Sequence, residues 1–440
     1  MSTFSLSDEQ EAALDEFRQG RNIMISGPAG TGKTFVIREM VADAQRRGKK
    51  IQVCATTGCA AVLLKIKGTK TVHSWSGIGL GTGSLDAIVK KVSTNRNKKK
   101  PWRETDILII DEVSMLSARL LRILDEVGQA CRSSRAPFGG LQIVLSGDFY
   151  QLPPVGEEDD PESLAFCFES ELWDQLIEST ILLSRIYRQH DDQYAKILNQ
   201  IRVGRMTKSS HTALLSRVGA VCKYELKPTI LYPRRRSVDA LNSRELAKLD
   251  GAESMTFSMT ACLPQSATEA DKKARGQLSE AVASREETFL KNNVLADQRL
   301  DLRVGAQVMC VANIDLEGDN PVVNGSQGII TGFSDGLPVV RFVGGFTRTV
   351  GWHEWVSETV PGVGVRQVPL ILAWAITIHK AQGVTLEVAE VDAGSGIFEC
   401  GQTYVALSRV KSLEGLFLRA YDVRRIKVNR KVREYYESLA

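Results

Sequence analysis

The 440-residue sequence contains no CxxC pair and no other cysteine spacing that frames a metal site. Its eight cysteines, at 54, 59, 131, 167, 222, 262, 310 and 400, are scattered. They read as reduced thiols serving as small buried hydrophobes in an intracellular setting. No apolar run approaches the ~20 residues that a bilayer demands, so no membrane partner is expected. The opening segment, MSTFSLSDEQEAALDEF, lacks an apolar signal core and is too acidic for a transit peptide, which leaves nuclear, mitochondrial and cytoplasmic locations open. There is no internal repeat and no long low-complexity segment. Net charge is also small: +4 permits a polyanionic partner without requiring one. What remains is an ordinary globular composition, 43% hydrophobic and 25% charged, in a chain long enough for two or three domains.

Strands and helices alternate along the first half. Ser7, with Gln10 three residues on, predicts a capped helix start. NIMIS (22–26), IQVCAT, DILIIDE and LQIVLSGD read as buried strands, and FVIREMVADAQRRG as a helix between two of them. This pattern predicts α/β architecture with a parallel sheet covered on both faces. Residues 76–105, glycine-rich and then basic (NRNKKKPW), read as a small insert or loop. In the second half PTILYP, VAEVDAG and LFLRAYD read as strands and SVDALNSRELAKL as a helix. The stretch 251–301 is polar and poorly patterned. LRVGAQVMCVANI, GSQGIITGF and LPVVRFVGG suggest a small antiparallel β module. The tail KVNRKVREYYESL reads as an amphipathic surface helix.

GPAGTGKT, Gly27–Pro28–Ala29–Gly30–Thr31–Gly32–Lys33–Thr34, fits GxxxxGK[ST] in full and lies between a predicted strand and a predicted helix. Such a loop curls backbone amides around phosphates. Lys33 neutralises the β- and γ-phosphates of ATP, and Thr34 holds Mg²⁺. At the end of DILIIDE, Asp111 is placed to bind Mg²⁺ through water and Glu112 to activate an attacking water, which favours hydrolysis over transfer. LQIVLSGD is expected beside DILIIDE. Gln151, just past it, then senses the γ-phosphate or orients the water, and Asp148 ties this loop to its neighbours.

GPAGTGKT, IIDEVSM, PFGGLQIVLSGDFYQLPPV, YRQ, AWAITIHKAQG and TYVALSRV together resemble, in order, the motifs of the PIF family of DNA helicases, in the RecD-like branch of superfamily one. They span residues 7–418. RILDEVGQACRSSRAPFGG resembles a stretch peculiar to that family.

The resemblance implies two RecA-like P-loop domains with ATP between them, 1–190 and 191–440. It also implies a small insert at about 76–105 and an SH3-like β module at about 314–370. It implies that Gln10 reads adenine, that Gln382 and Gly383 face the nucleotide, and that Arg188 and Arg409 approach the phosphates from the second-domain side. Arginine suits that task because its charge is permanent and its fork planar. For single-stranded DNA it implies contacts from Thr56, Thr57, Thr71, His73, Thr377, His379 and Lys380. Trp75 and Phe149 are candidates either for base stacking or for the core. Lys98–Lys100 and Arg234–Arg236 either steer the backbone or form solvated faces.

The implied activity is that of a monomeric, ATP- and Mg²⁺-dependent helicase. It would move 5′-to-3′ on single strands and open forked or overhang duplexes in replication, repair, recombination or telomere maintenance. Pro233 and the three arginines after it depart from the family pattern, and the chain holds little beyond a helicase core. A translocase with little unwinding or with RNA preference fits the same motifs. A small-molecule kinase is disfavoured by Glu112, Gln151 and the two arginines, and a dead ATPase by the presence of all these residues.

Overall fold

The computed structural model describes residues 6–439 apart from 80, 190, 224–226, 315–321, 358–359, 379 and 382–383. The N-terminal helix α1 (Asp8–Arg18) begins with the expected capping box between Ser7 and Gln10. Six strands follow in one sheet: β1 (Ile23–Ser26), β2 (Ile51–Ala55), β3 (Lys70–Thr71), β4 (Ile107–Asp111), β5 (Gln142–Gly147) and β6 (Ser179–Leu182). All neighbours are parallel, in the order β3-β2-β4-β5-β1-β6. β1, β4 and β5 are buried almost throughout, as continuous apolar strands covered on both faces should be. The order brings the C-terminal ends of β2, β4, β5 and β1 side by side. In open α/β sheets that edge is where ligands bind.

A second parallel sheet holds Ala375–Thr377, Thr229–Tyr232, Ala389–Ala393 and Leu416–Tyr421, in that spatial order. Between its first and second strands in sequence runs a five-stranded antiparallel sheet. Its strands extend from Gln307–Cys310 to Leu370–Leu372.

Two segments carry helices that the sequence reading did not assign. Of the two alternatives at 76–105, an insert or a loop, the basic run takes the first: it is a helix, Arg96–Glu104, packed with Leu85–Ser93 on the helix Ala118–Arg132. Asn95 caps it, accepting from the amides of Asn97 and Lys98. Trp102 anchors it, fully buried, with its indole N–H donating to Ser76 O at 3.0 Å. A single buried tryptophan in a charged run carries no periodicity to read. Likewise the polar stretch 251–301 contains two helices, Glu269–Gln277 and Glu280–Asn293, and strands Ser254–Ser258, Thr260–Cys262 and Arg299–Arg303. Glu269–Gln277 buries no side chain, so its signal was its cap, Thr268 with Asp271, rather than an apolar stripe. The family-specific stretch is structural here. Arg132 donates to the carbonyls of Gly139, Trp102 and Thr105, holding the helical insert to the sheet, and Asp125 accepts the Phe138 amide.

Cys54, Cys131, Cys167, Cys262, Cys310 and Cys400 are free thiols, and no described helix is long and apolar enough to cross a membrane.

Candidate nucleotide site

A cavity of ≈ 810 Å³ opens at the C-terminal edge of the first sheet. Its wall includes Ala29 to Thr34, Asp111, Glu112 and Gln151 on one side, and Arg188, Lys380, Thr385, Arg409 and Lys411 on others. The P-loop turns through left-handed Gly30 (φ +87°) and Gly32 (φ +82°) into the helix α2 (Lys33–Arg46). A side chain at Gly30 would strike Arg188 Cβ at 2.6 Å, so the loop needs glycine for packing as well as for φ. Lys33 Nζ donates to Gly27 O (2.7 Å) and Pro28 O (3.0 Å). Burial lowers its pKa, while Asp148, Glu112 and Asp111 act to raise it. The ammonium thus lies folded against its own loop, beside three acidic residues. Thr31 Oγ1 closes the loop on Pro28 O.

β4 ends in Asp111, whose pKa is raised by burial against the opposing effects of its polar neighbours and of the Lys33 ammonium. Glu112 takes φ +57°, ψ +43°, a left-handed conformation that costs a non-glycine residue about 1–3 kcal/mol. Thr56 steadies it: Thr56 Oγ1 donates to Glu112 O at 3.0 Å, and its amide to Asp111 O at 3.4 Å. Strands β4 and β5 pair in parallel, as expected, which delivers Gln151 to the same edge, 6% exposed, its amide on Asp148 O.

Asp148 is fully buried and does tie the loop down. Arg202, on the helix Asp192–Val203, grips it with two hydrogen bonds of 2.9 and 2.8 Å. Burial opposes the guanidinium's charge, but the Asp148 carboxylate outweighs it and lifts the Arg202 pKa above its ordinary value. Arg202 also lies over the rings of Tyr150 (4.5 Å) and Tyr436 (5.3 Å), which stack on each other at 4.7 Å. Tyr436 belongs to the C-terminal helix Arg430–Glu437. Its hydroxyl pairs with Ser26, the residue before the P-loop, and accepts the Phe149 amide at 3.2 Å. The tail is the expected amphipathic surface helix, and its tyrosine face also locks the ends of β1 and β5 together.

Arg188 corrects an expectation. It follows β6 and sits on the P-loop side: the amide of Tyr187 donates to Gly30 O at 2.8 Å, and Arg188 Nη1 reaches across to Ser408 O at 3.5 Å. Arg409 does come from the second unit, at the end of the helix Gln402–Leu407, and is 2% exposed. Its guanidinium bonds Val405 O (2.9 Å) and Ser408 Oγ (2.8 Å). Burial, then the charge of Arg188, depresses its pKa; burial likewise lowers that of Arg188. Two like charges, Arg409 buried and Arg188 partly buried, thus face one cavity while bonded to neutral acceptors. An anion would relieve that arrangement.

The other expected residues divide. Gln10 is 3% exposed and not in the cavity wall. Its amide bridges Ser7 N and Thr31 O, so it braces the P-loop from behind. Thr57 lines the cavity and caps the helix α3 (Gly58–Leu64), while Thr71 caps Val72–Ser76. His73 is partly buried, which lowers its pKa and keeps it neutral near pH 7. Thr377 Oγ1 accepts the Lys380 amide, and Lys380 Nζ pairs with Asp297 at 3.4 Å. His379, Gln382 and Gly383 lie outside the described residues. Trp75 and Phe149 are core residues, 3% and 1% exposed. Trp75 packs on Trp102 at 4.5 Å, and Phe149 sits inside an aromatic cluster, so neither presents a face to a base.

Sequence reasoning missed Arg202, Tyr436 and Tyr404. The last stood in a quoted motif, but the others carried no signal. Tyr404 accepts the P-loop amide of Ala29 at 2.9 Å.

Residues 5–212 match the family model of the PIF1-like helicase, and residues 288–333 that of the DNA helicase Pif1 2B domain. Over 99% of its length the chain is 31% identical to the ATP-dependent DNA helicase RRM3 of Saccharomyces cerevisiae, covering 68% of that protein. The chain belongs to the PIF1-like helicase family. It is 34% identical to the ATP-dependent DNA helicases PIF1 of Emericella nidulans and Danio rerio, over 96% and 99% of its own length. It spans only 61% and 64% of theirs. Among solved structures, Pif1 helicase from Candida albicans superposes with a TM-score of 0.73 at 34% identity, each chain covered in full. Bacteroides sp Pif1 in complex with ADP-AlF4 superposes at 0.79 with 26% identity, covering 99% of this chain and 97% of that one. Bacteroides Pif1 bound to ssDNA gives 0.64 over the same shares at 26% identity. The two parallel sheets of this PIF1-like chain are accordingly those of two RecA-like α/β domains.

Proposed function

We propose that this chain is an ATP-dependent DNA helicase that moves along single-stranded DNA, 5′-to-3′, and opens forked or overhang duplexes. The observation that carries the reading is the convergence of Lys33, Glu112, Gln151, Arg188 and Arg409 on one cavity, with the two arginines bonded to neutral acceptors. ATP would place its phosphates on the loop Gly27–Thr34. Lys33 would leave Gly27 O and Pro28 O for the β- and γ-phosphates. Glu112 would take the proton of the attacking water, and Gln151 would orient that water. Arg188 and Arg409 would neutralise charge that develops on the γ-phosphate.

Thr34 and Asp111 fit a Mg²⁺ ion. No group of three metal-ligating side chains occurs among the described residues, and Mg²⁺ in such sites takes most of its ligands from phosphate and water. The ion would supply further charge neutralisation. Gln10 would brace the adenine end, with Gln382 and Gly383 beside the nucleotide.

Thr56, Thr57, Thr71 and His73 from the first domain, and Thr377, His379 and Lys380 from the second, would hold a strand by its phosphates, without reading bases. The protein would act as a monomer divided at about residue 190, with inserts at about 76–105 and 314–370. The Bacteroides relative, solved with ADP-AlF4 and with ssDNA, supports both ligands.

Steady-state ATPase with and without single-stranded DNA tests the reading, followed by unwinding of substrates with opposite overhangs. Strong stimulation is expected. A rate indifferent to DNA and RNA would sink the motor, and stimulation without unwinding would reduce it to a translocase. A second prediction concerns coupling. Thr56 donates to the main-chain carbonyl of Glu112, so a strand bound at Thr56 and Thr57 can act on the backbone that carries the Glu112 carboxylate. Thr56→Val should cut stimulation by DNA roughly tenfold, a 1.4 kcal/mol effect on the barrier, while the DNA-free rate stays within about twofold. Equal losses in both rates would show that Thr56 serves stability alone.

A further inference from the structure

The helix Gln402–Leu407 meets the first domain at three points. At its start Gly401 adopts φ +73° and lies against the next turn of the Gln151 loop: a Cβ there would stand 2.5 Å from the carbonyl oxygens of both Tyr150 and Gln151. In its middle the Tyr404 hydroxyl accepts the Ala29 amide at 2.9 Å, with Tyr404 3% and Ala29 7% exposed. At its end Arg409 enters the cavity. The far end is held as well. Tyr194 donates to Leu407 O at 2.7 Å, and Gln189, the neighbour of Arg188, donates to Ser408 O and Val410 O at 3.2 and 3.3 Å.

We propose that Tyr404 is a positioning residue for Arg409. Its hydroxyl registers the arginine-bearing helix on the P-loop, so that Arg409 is aimed at the nucleotide only when the two domains are joined at Ala29. The proposal rests on the reading of the cavity as an ATP-hydrolysis site.

The geometry supports it in three ways. Arg409 follows Tyr404 by five residues, about 7–8 Å along a helix, so a fixed point at Tyr404 sets where the arginine begins its reach. Arg409 is bonded back onto its own helix, at Val405 O and Ser408 Oγ, and so follows the helix as a unit. Burial raises the Tyr404 pKa to about 12, so the group is a neutral phenol at physiological pH and offers an acceptor to a buried amide that needs one. Gly401 matters for the same reason: only a residue without a Cβ lets the helix start approach the Gln151 loop this closely.

Tyr404→Phe removes the acceptor and keeps the ring. The test compares ATPase kinetics of wild type, Tyr404→Phe, Arg409→Ala and the double variant, with thermal melts of each. The expected result is a kcat lowered roughly tenfold in Tyr404→Phe, with KM for ATP within about twofold and a melting midpoint only a few degrees lower, the cost of one unpaired buried amide. The double variant should be no slower than Arg409→Ala alone, because the tyrosine acts through the arginine. A wild-type kcat in Tyr404→Phe overturns the proposal. So does a double variant slowed by the product of the two single effects, or a loss of kcat that vanishes when the assay is run well below the lowered midpoint. Any of these results with normal wild-type turnover leaves the hydrolysis site standing and removes only the role of Tyr404. A wild-type chain without ATP turnover removes both.

Discussion

Glu112→Gln lowers ATP turnover about 10²–10⁴-fold, the range of a lost general base, while nucleotide and single-strand binding persist. The amide keeps the size and hydrogen-bonding reach of the carboxylate but cannot take a proton. The left-handed backbone at Glu112 and the Thr56 bond on its carbonyl are both main-chain features, so the substitution leaves them in place. Lys33→Ala produces a comparable loss by a different route. It removes the ammonium that now bonds Gly27 O and Pro28 O, and with it the charge that would meet the phosphates. ATPase assays beside equilibrium binding of a labelled single strand separate the two: Lys33→Ala should weaken nucleotide binding as well, Glu112→Gln should not. Turnover within tenfold of wild type in Glu112→Gln would remove it from the role of base.

Asp148→Ala should destabilise the chain by about 3–5 kcal/mol, because it strands the Arg202 guanidinium between two tyrosine rings with no carboxylate. For domains of this size the apparent melting midpoint should fall by roughly 6–20 °C. The double variant Asp148→Asn with Arg202→Gln should recover much of that loss, since no buried charge is left unpaired. Circular-dichroism melts of the three proteins decide it. A midpoint within about 2 °C of wild type for Asp148→Ala would show that solvent reaches Arg202 and that the ion pair holds nothing together. The consequence for the site is direct. The same ion pair fixes the strand end that carries Gln151, and the Tyr436 hydroxyl bonded to Ser26 fixes the strand end that carries the P-loop.

The nucleotide half of this protein was legible in the sequence. GPAGTGKT, DILIIDE and LQIVLSGD each join a strand signal to its functional residues within a few positions, so local pattern and chemistry coincide. Parallel pairing of β4 with β5 then followed from their apolar character and from the alternation of strands with helices. Within the insert expected at 76–105, the helix Arg96–Glu104 was not legible, because its packing depends on one buried tryptophan and on Arg132 from elsewhere rather than on a repeating stripe. The helices in 251–301 were hidden for a related reason: they lie at the surface and bury few side chains.

What the sequence by itself determined is the placement of the loop GPAGTGKT, of Asp111 with Glu112 and of Gln151 at strand ends, together with the α/β class that sets them on one sheet edge. These depend on contacts between near neighbours in the chain and on apolar periodicity, and both are written locally. Only the tertiary structure decided that Arg188 lies on the P-loop, that Trp75 and Phe149 are core, and that the C-terminal segment supplies Tyr404 and Tyr436 to either side of the loop's entry. Those hydroxyls meet partners 375 and 410 residues away in sequence. No local propensity encodes a hydrogen bond of that span. It exists because the helices Gln402–Leu407 and Arg430–Glu437 are brought against the P-loop and the strand before it, and buried amides and hydroxyls at that junction must then find partners across it.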